Sequence, residues 1–196
     1  LNNAGRGKSS YDQYTFYRLL SQLTTDSAPE PAGKMNLNYD NLVQRNPVSG
    51  VISATNFIPW RPIDFFTNAA NRMLLQSATS VGVNNLSVTN IPIYPTNYYT
   101  PGVHRLLQLA ANMYDATTNR TFAGATTYPY LPSLFRPRFG VNGTNIFISG
   151  YVEETRLAPA ILNTPVRDLN NPADRAILAS QPDDFVYGVP LVIGAK

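Results

Sequence analysis

The sequence predicts an α+β fold: about four helices packed on a small, mostly antiparallel sheet, with long ordered coil rich in Pro and Tyr. Three observations lead there. Apolar residues recur at helical spacing in four segments and alternate at strand spacing in others. The 196 residues also include 16 prolines and 12 tyrosines, and the connections between those segments are long and Pro-rich.

The first helix is expected over about residues 10–24, where Phe16, Leu19, Leu20 and Leu23 share one face. The second begins near "RPIDFFTNAANRMLLQSA". Pro62 suits a first helical turn, Asp64 complements the dipole, and Ile63, Phe66, Ala70, Met73 and Leu74 form the apolar stripe. The third, "TPGVHRLLQLAANMYDATT", is the clearest. Thr100 caps it, Pro101 begins it, and Val103, Leu106, Leu107, Ala110 and Tyr114 line one side. The fourth, "NPADRAILAS", is capped by Asn171 with Pro172 at its first position.

Strands are expected between these helices. Residues 34–39 alternate Met35, Leu37 and Tyr39 against Lys34, Asn36 and Asn38. Residues 86–94 are a second strand, which Pro92 sends to a sheet edge. Residues 144–152, "TNIFISGYV", are the strongest, with a turn at "VNGT" just before them. Residues 184–193, "DFVYGVPLVI", are the last. The linkers "TDSAPEPAG", "TYPYLPSLFRPRF" and "LAPAILNTPVRDLNNP" carry apolar and aromatic residues and are expected to drape over the core as ordered coil.

Composition sets limits. At 43% hydrophobic the chain can bury a core, yet only 14% of residues are charged, well under the usual quarter. Polarity comes from Asn, Thr, Ser, Gln and Tyr, a surface associated with secreted, envelope or capsid-like proteins more than with cytosolic enzymes. The formal net charge of +3 is spread out, and only Arg136 and Arg138 approach a cluster, which argues against nucleic acid as a partner. Without cysteine there are no disulfides, thiolate metal sites or cysteine nucleophiles. No run of about 18 apolar residues suggests a membrane span. The chain starts on Leu1 and stops in the apolar "LVIGAK". It therefore reads as a single domain, 1–196, or a segment of a larger protein, with any export signal outside it.

Motifs with chemistry mostly fail on inspection. "GRGKSS", residues 5–10, ends like a phosphate loop, but the first glycine falls on Asn2 and no strand precedes it. Residues 1–9 read instead as a flexible basic lead-in. His104 is the one histidine; it flanks a helical stripe, without partners for zinc or a G-x-S-x-G elbow for a triad. The adjacent pairs Glu153–Glu154 and Asp183–Asp184 resemble glycosidase couples only in number, because neighbours on a strand point to opposite faces. They are expected to be solvated charge at strand ends. Asn36, Asn38 and Asp40 alternate as in a calcium loop, but Asn41 and Pro47 stand where Gly and Glu are needed. No catalytic, cofactor or metal residue is assigned.

The aromatic stretches "IYPTNYYTP" and "TYPYLPSLFRPRF" suit a contact surface for proteins or saccharides, carried by Tyr94, Tyr98, Tyr99, Tyr128, Tyr130 and Phe135. The same rings also suit pinning coil to the core. Two functions follow: a structural or interaction domain of a larger exported protein, or a carbohydrate-binding or carbohydrate-cleaving domain using exposed Tyr or Trp60.

Several strings resemble one family. "YTFYRLLSQLTTDSAPEPAGKMNLNYDNL", "FIPWRPIDFFTNAANRML", "YTPGVHRLLQLAANMYDATTN", "LPSLFRPRF" and "VYGVPLVIGAK" are similar to segments of large verrucomicrobial proteins of the cassette protein A group, from Tyr14 to Lys196. Neighbours of that group carry prepilin-type leaders, and its members continue past the "IGAK" string. The resemblance implies an extracellular or cell-envelope assembly related to type IV pili or pseudopili. Its partners would be the rest of the parent chain, further copies, or prepilin-like proteins, and it carries over no catalytic residue. "GKMNLNY" is also similar to a string of the large minor pseudopilin of type II secretion, departing from it after Asn38 at Tyr39-Asp40.

Overall fold

The computed structural model describes residues 35–38, 40, 59–81, 86–118, 131–156 and 158–195, with 76–81 described by backbone alone. The chain divides into two units, Leu1–Ile58 and Pro59–Lys196. The expected first helix and the "GRGKSS" segment lie outside the described residues, as do Tyr128 and Tyr130. In the first unit the expected strand at 34–39 is absent from the residues described: 35–38 bend, and the Asn38 N–H donates to Asn36 Oδ1 at 2.8 Å. Asn side chains compete with strand ladders in this way.

The second unit is an α+β fold. Its elements are α1 (Pro62–Val81), β1 (Ile91–Tyr94), α2 (Pro101–Thr117), β2 (Leu134–Asn142), β3 (Asn145–Glu153), α3 (Ala158–Leu162), β4 (Val166–Arg167), α4 (Pro172–Leu178), β5 (Phe185–Val186) and β6 (Val192–Ile193). Four strands form an antiparallel sheet in the order β1-β3-β2-β6, while β4 and β5 pair in parallel as a separate ribbon.

Local signals start the helices where expected. Pro62 opens α1, and Arg61 pairs with Asp64 at 3.1 Å. Thr100 Oγ1 accepts from the Val103 N–H ahead of α2, and Asn171 Oδ1 accepts from the Ala173 N–H ahead of α4. The buried face of α2 is Leu107, Ala110, Ala111, Tyr114 and Asp115. The core lies between α1, α2 and the sheet. Phe66 stacks on Phe135 at 4.2 Å and meets Tyr151 edge-on at 5.2 Å. Phe65 packs on Tyr114 at 5.4 Å, and Trp60 stands edge-on to Phe65 at 5.8 Å. These offset and edge contacts are the arrangements that ring quadrupoles favour.

The sheet corrects two expectations about coil. "LFRPRF", the end of the expected linker "TYPYLPSLFRPRF", belongs to β2, which pairs with β3 from Phe135 to Asn142. Pro137 is tolerated because of where its missing donor would point. The Leu134 carbonyl accepts from Glu154, so 134, 136 and 138 address β3 while 135 and 137 address the other side. There β6 pairs only with Leu134 and Phe135, so Pro137 lies past its end. Likewise "LAPAILNTPVRDLNNP" contains α3 and β4.

The hairpin joining β2 to β3 has a two-residue loop, Gly143–Thr144, with Gly143 at φ 60°. That is the position a tight hairpin turn reserves for glycine. Pro92 lies in β1 at the sheet edge, as its missing N–H demands. The expected strand 184–193 is broken in two. The Val189 N–H donates to the Val186 carbonyl at 3.0 Å with Gly188 at φ 83°, a type II turn that sends the chain from β5 to β6. Beyond β6, a Cβ on Gly194 would collide with the Asp115 carboxylate, so glycine alone lets the chain run this close to α2. Asp115 in turn accepts from both the N–H and the hydroxyl of Ser133, tying the end of α2 to the start of β2. Among the described residues no helix is long and apolar enough to cross a membrane.

Candidate functional site

The aromatic residues singled out in the sequence separate into two groups. Phe135 is fully buried under Phe66, and Tyr99 is buried as well, so both belong to the core rather than to a surface. Trp60 is buried too. Tyr94 and Tyr98 remain accessible and line one cleft.

That cleft, of about 460 Å³, is lined by Pro92, Tyr94, Pro95, Thr96 and Tyr98 on one side, and by Asn142, Asn145, Ile146 and Phe147 on the other, with Asn90 at one end. The pairing of β1 with β3 creates it. Tyr94 sits opposite Ile146, which places the turn after β1 beside the tip of the β2–β3 hairpin. The Tyr94–Pro95 bond is cis, and the chain folds back so that the Tyr98 N–H donates to the Pro92 carbonyl at 2.8 Å. The Tyr99 N–H then donates to Asn97 Oδ1 at 2.8 Å. Arg175 of α4 lies over the Tyr94 ring, 4.5 Å from its centre, and its guanidinium donates to the Leu169 carbonyl. Thr96, Tyr98, Asn90, Asn142 and Asn145 are exposed. None of the residues lining the cleft carries a charge. It offers ring faces, hydroxyls and amides, and no acid–base pair. Its amides were missed in the sequence because "VNGTN" reads first as a turn.

The charged groups lie elsewhere and answer one another. On β2, Arg136 donates to Glu154 at 3.0 Å and to Asp183 at 2.7 Å, and Arg138 reaches the same Asp183 oxygen at 2.9 Å. Arg156 meets Glu154 at 2.6 Å and donates to the Thr164 hydroxyl, while Arg167 holds Asp184 at 2.6 Å and Asp174 at 3.5 Å. The Glu154 side chain is only 2% exposed. Hydrogen bonding from Arg156 leads its electrostatics; burial works against it, and the charges of Arg156 and Arg136 help hold the carboxyl at about 2. Burial alone would raise Asp183, but the hydrogen bond and charge of Arg136, followed by Arg138, bring it below its ordinary value. Glu154, Asp183 and Asp184 are therefore committed partners, correcting the expectation of free solvated charge.

His104 also has a partner. Its Nδ1 lies 2.8 Å from the Tyr99 hydroxyl. Burial lowers His104 and pushes Tyr99 up to about 12, opposed there by its interaction with Tyr151. Tyr151 is raised well above the ordinary phenol value by burial first and by the nearby Tyr99 second; its hydroxyl is buried without a well-formed hydrogen bond. Burial favours the neutral form of both partners in this hydrogen bond. Among the described residues no group of three His, Asp or Glu could hold a metal ion.

A second depression, of about 400 Å³, is apolar. Val166, Phe185, Val186, Tyr187, Val189 and Leu191 line it. Tyr187 at the turn is 81% exposed, Val166 is 62% exposed, and Leu162 of α3 is 84% exposed. Compared with known proteins, the chain matches no family model, no curated protein and no solved structure.

Proposed function

We propose that this chain is a structural and interaction domain of a larger exported or cell-envelope protein, working in a filamentous, pilus-like assembly. Its partners would be the rest of its parent chain or further copies of itself. One observation carries the reading: Tyr187 and Val166 stand exposed at an apolar groove, with Leu162 exposed on α3. Large apolar side chains left exposed beside an apolar groove suit a contact site. Tyr187 is presented by a hydrogen-bonded turn, so little freedom is lost on contact. The low charge of the chain and its resemblance to the cassette protein A group support the same reading.

Size-exclusion chromatography with light scattering, paired with intact mass measurement, tests it. The expected result is a species heavier than the 21.6 kDa chain whose mass grows with concentration. Tyr187→Ser combined with Val166→Ser should return it to one chain. A strict monomer at every concentration, unchanged by the double variant, removes the support for self-assembly.

A further inference from the structure

We infer that the cleft between the turn after β1 and the tip of the β2–β3 hairpin binds a short neutral oligosaccharide. The inference is independent of the assembly reading, because the cleft and the apolar groove share no residue.

Three features fix the chemistry. The first is the lining. Three exposed primary amides, Asn90, Asn142 and Asn145, stand near the Thr96 hydroxyl and the Tyr94 and Tyr98 rings. Each amide offers both donors and an acceptor, the complement of neighbouring sugar hydroxyls, which also do both. A ring face accepts the C–H side of a pyranose, and Tyr adds a hydroxyl at its tip. At about 460 Å³ the cleft lies inside the range of roughly 300–1,000 Å³ typical of small-molecule sites.

The second feature is neutrality. No charged side chain lines the cleft, and Arg175, which lies over Tyr94, bonds the Leu169 carbonyl. The lining meets a sulfate, phosphate or carboxylate with neutral donors only, a poor match for the desolvation of a charge.

The third feature excludes an added peptide strand. β1 is the edge of its sheet, where strand addition would occur. Yet Pro92 has no N–H to offer, and its outward carbonyl is already taken by the Tyr98 N–H. Both ladder positions at that residue are closed, so recognition here falls to side chains. The same bond holds Tyr98, which is 36% exposed, as a fixed platform.

The test is titration of the ¹⁵N-labelled chain with cellotetraose, mannotetraose and N-acetylchitotetraose, each to roughly ten millimolar, the weak end of measurable binding. At least one should shift the amide signals of residues 94–98 and the side-chain amides of Asn142 and Asn145. Tyr98→Ala should weaken that binding about tenfold, the size of one lost ring contact. Asn145→Ala should weaken it as well, while both variants keep the parent melting temperature. Tyr187→Ser should bind as the parent does, so failure of this inference and failure of the assembly reading are distinguishable. Three silent sugars overturn the proposal. So does binding that survives both cleft substitutions, or a sulfated tetrasaccharide or proline-rich peptide that shifts the same signals where the neutral sugars do not.

Discussion

The helices α1 and α2 meet the sheet mainly through rings and aliphatic side chains, whereas the segment from Glu154 to Tyr187 adds guanidinium–carboxylate contacts to that sheet through Glu154 and Asp183. Phe65, Phe66, Leu74, Leu107 and Phe135 are completely buried in the first region. In the second, Arg136 and Glu154 retain 10% and 2% of their side-chain exposure, while Arg138 and Asp183 keep nearly half. The difference lies in what each region requires of its surroundings. Apolar burial needs close packing and is indifferent to pH and nearly so to salt. Buried charge needs every partner present and ionised. Low overall charge therefore does not mean that charge is unimportant here: Arg136, Arg138, Glu154, Arg156 and Asp183 form one connected layer.

Truncating the apolar region should have the largest effect. Phe135→Ala removes the ring stacked on Phe66 at the centre of the core. We expect a loss of about 3–5 kcal/mol, from the lost transfer free energy together with the cavity left behind. Urea unfolding measures it, read as a lower midpoint at constant slope. A loss under about 1 kcal/mol would mean that the helices hold the sheet by something other than this stack.

In the charged region the inner and outer arginines should part. Arg136→Ala should cost about 3 kcal/mol, the low end for breaking a buried pair, because Arg156 stays to hold Glu154. Arg138→Ala should cost about 1 kcal/mol or less, since both it and Asp183 are half in water. Equal losses in urea would erase the distinction. Acid should act on the inner pair. Glu154 is held at about 2 against an ordinary 4.5, so its stabilisation is complete above 4.5 and drains away as pH falls towards 2. In Glu154→Gln that part of the acid slope should vanish from the melting curves.

These two regions were not equally legible in the sequence. Pro62, Thr100 and Asn171 announced their helices because a cap acts within a single turn. β2 was hidden by Pro137, which reads as a breaker until one knows that β6 stops at Phe135. The arginine layer was hidden by distance: Arg136 is 18 residues from Glu154 and 47 from Asp183. Tyr94 and Tyr98 could be picked out as aromatics. Asn142 and Asn145 could not be matched to them, because only the β1–β3 register brings the hairpin tip alongside. Tyr99 and Phe135 show the converse: a Pro/Tyr-rich stretch says that rings are present, and burial decides whether they are core or surface.

The smallest expected effect lies at His104, the one histidine, on the second helix of the apolar region. His104 is lowered by burial, so the unfolded chain takes up a proton first. Stability from this group is whole above about 6.5, the ordinary histidine value, and declines as pH falls below it. Protonation makes both ring nitrogens donors, so the Tyr99 hydroxyl beside Nδ1 must then accept. The window is separate from that of Glu154, which opens only below 4.5. Melting temperatures of parent and His104→Gln between pH 7.5 and pH 5 should therefore diverge in slope, with the variant flat and the parent falling gently. If the parent is flat as well, His104 contributes nothing to the stability of the fold across this pH range.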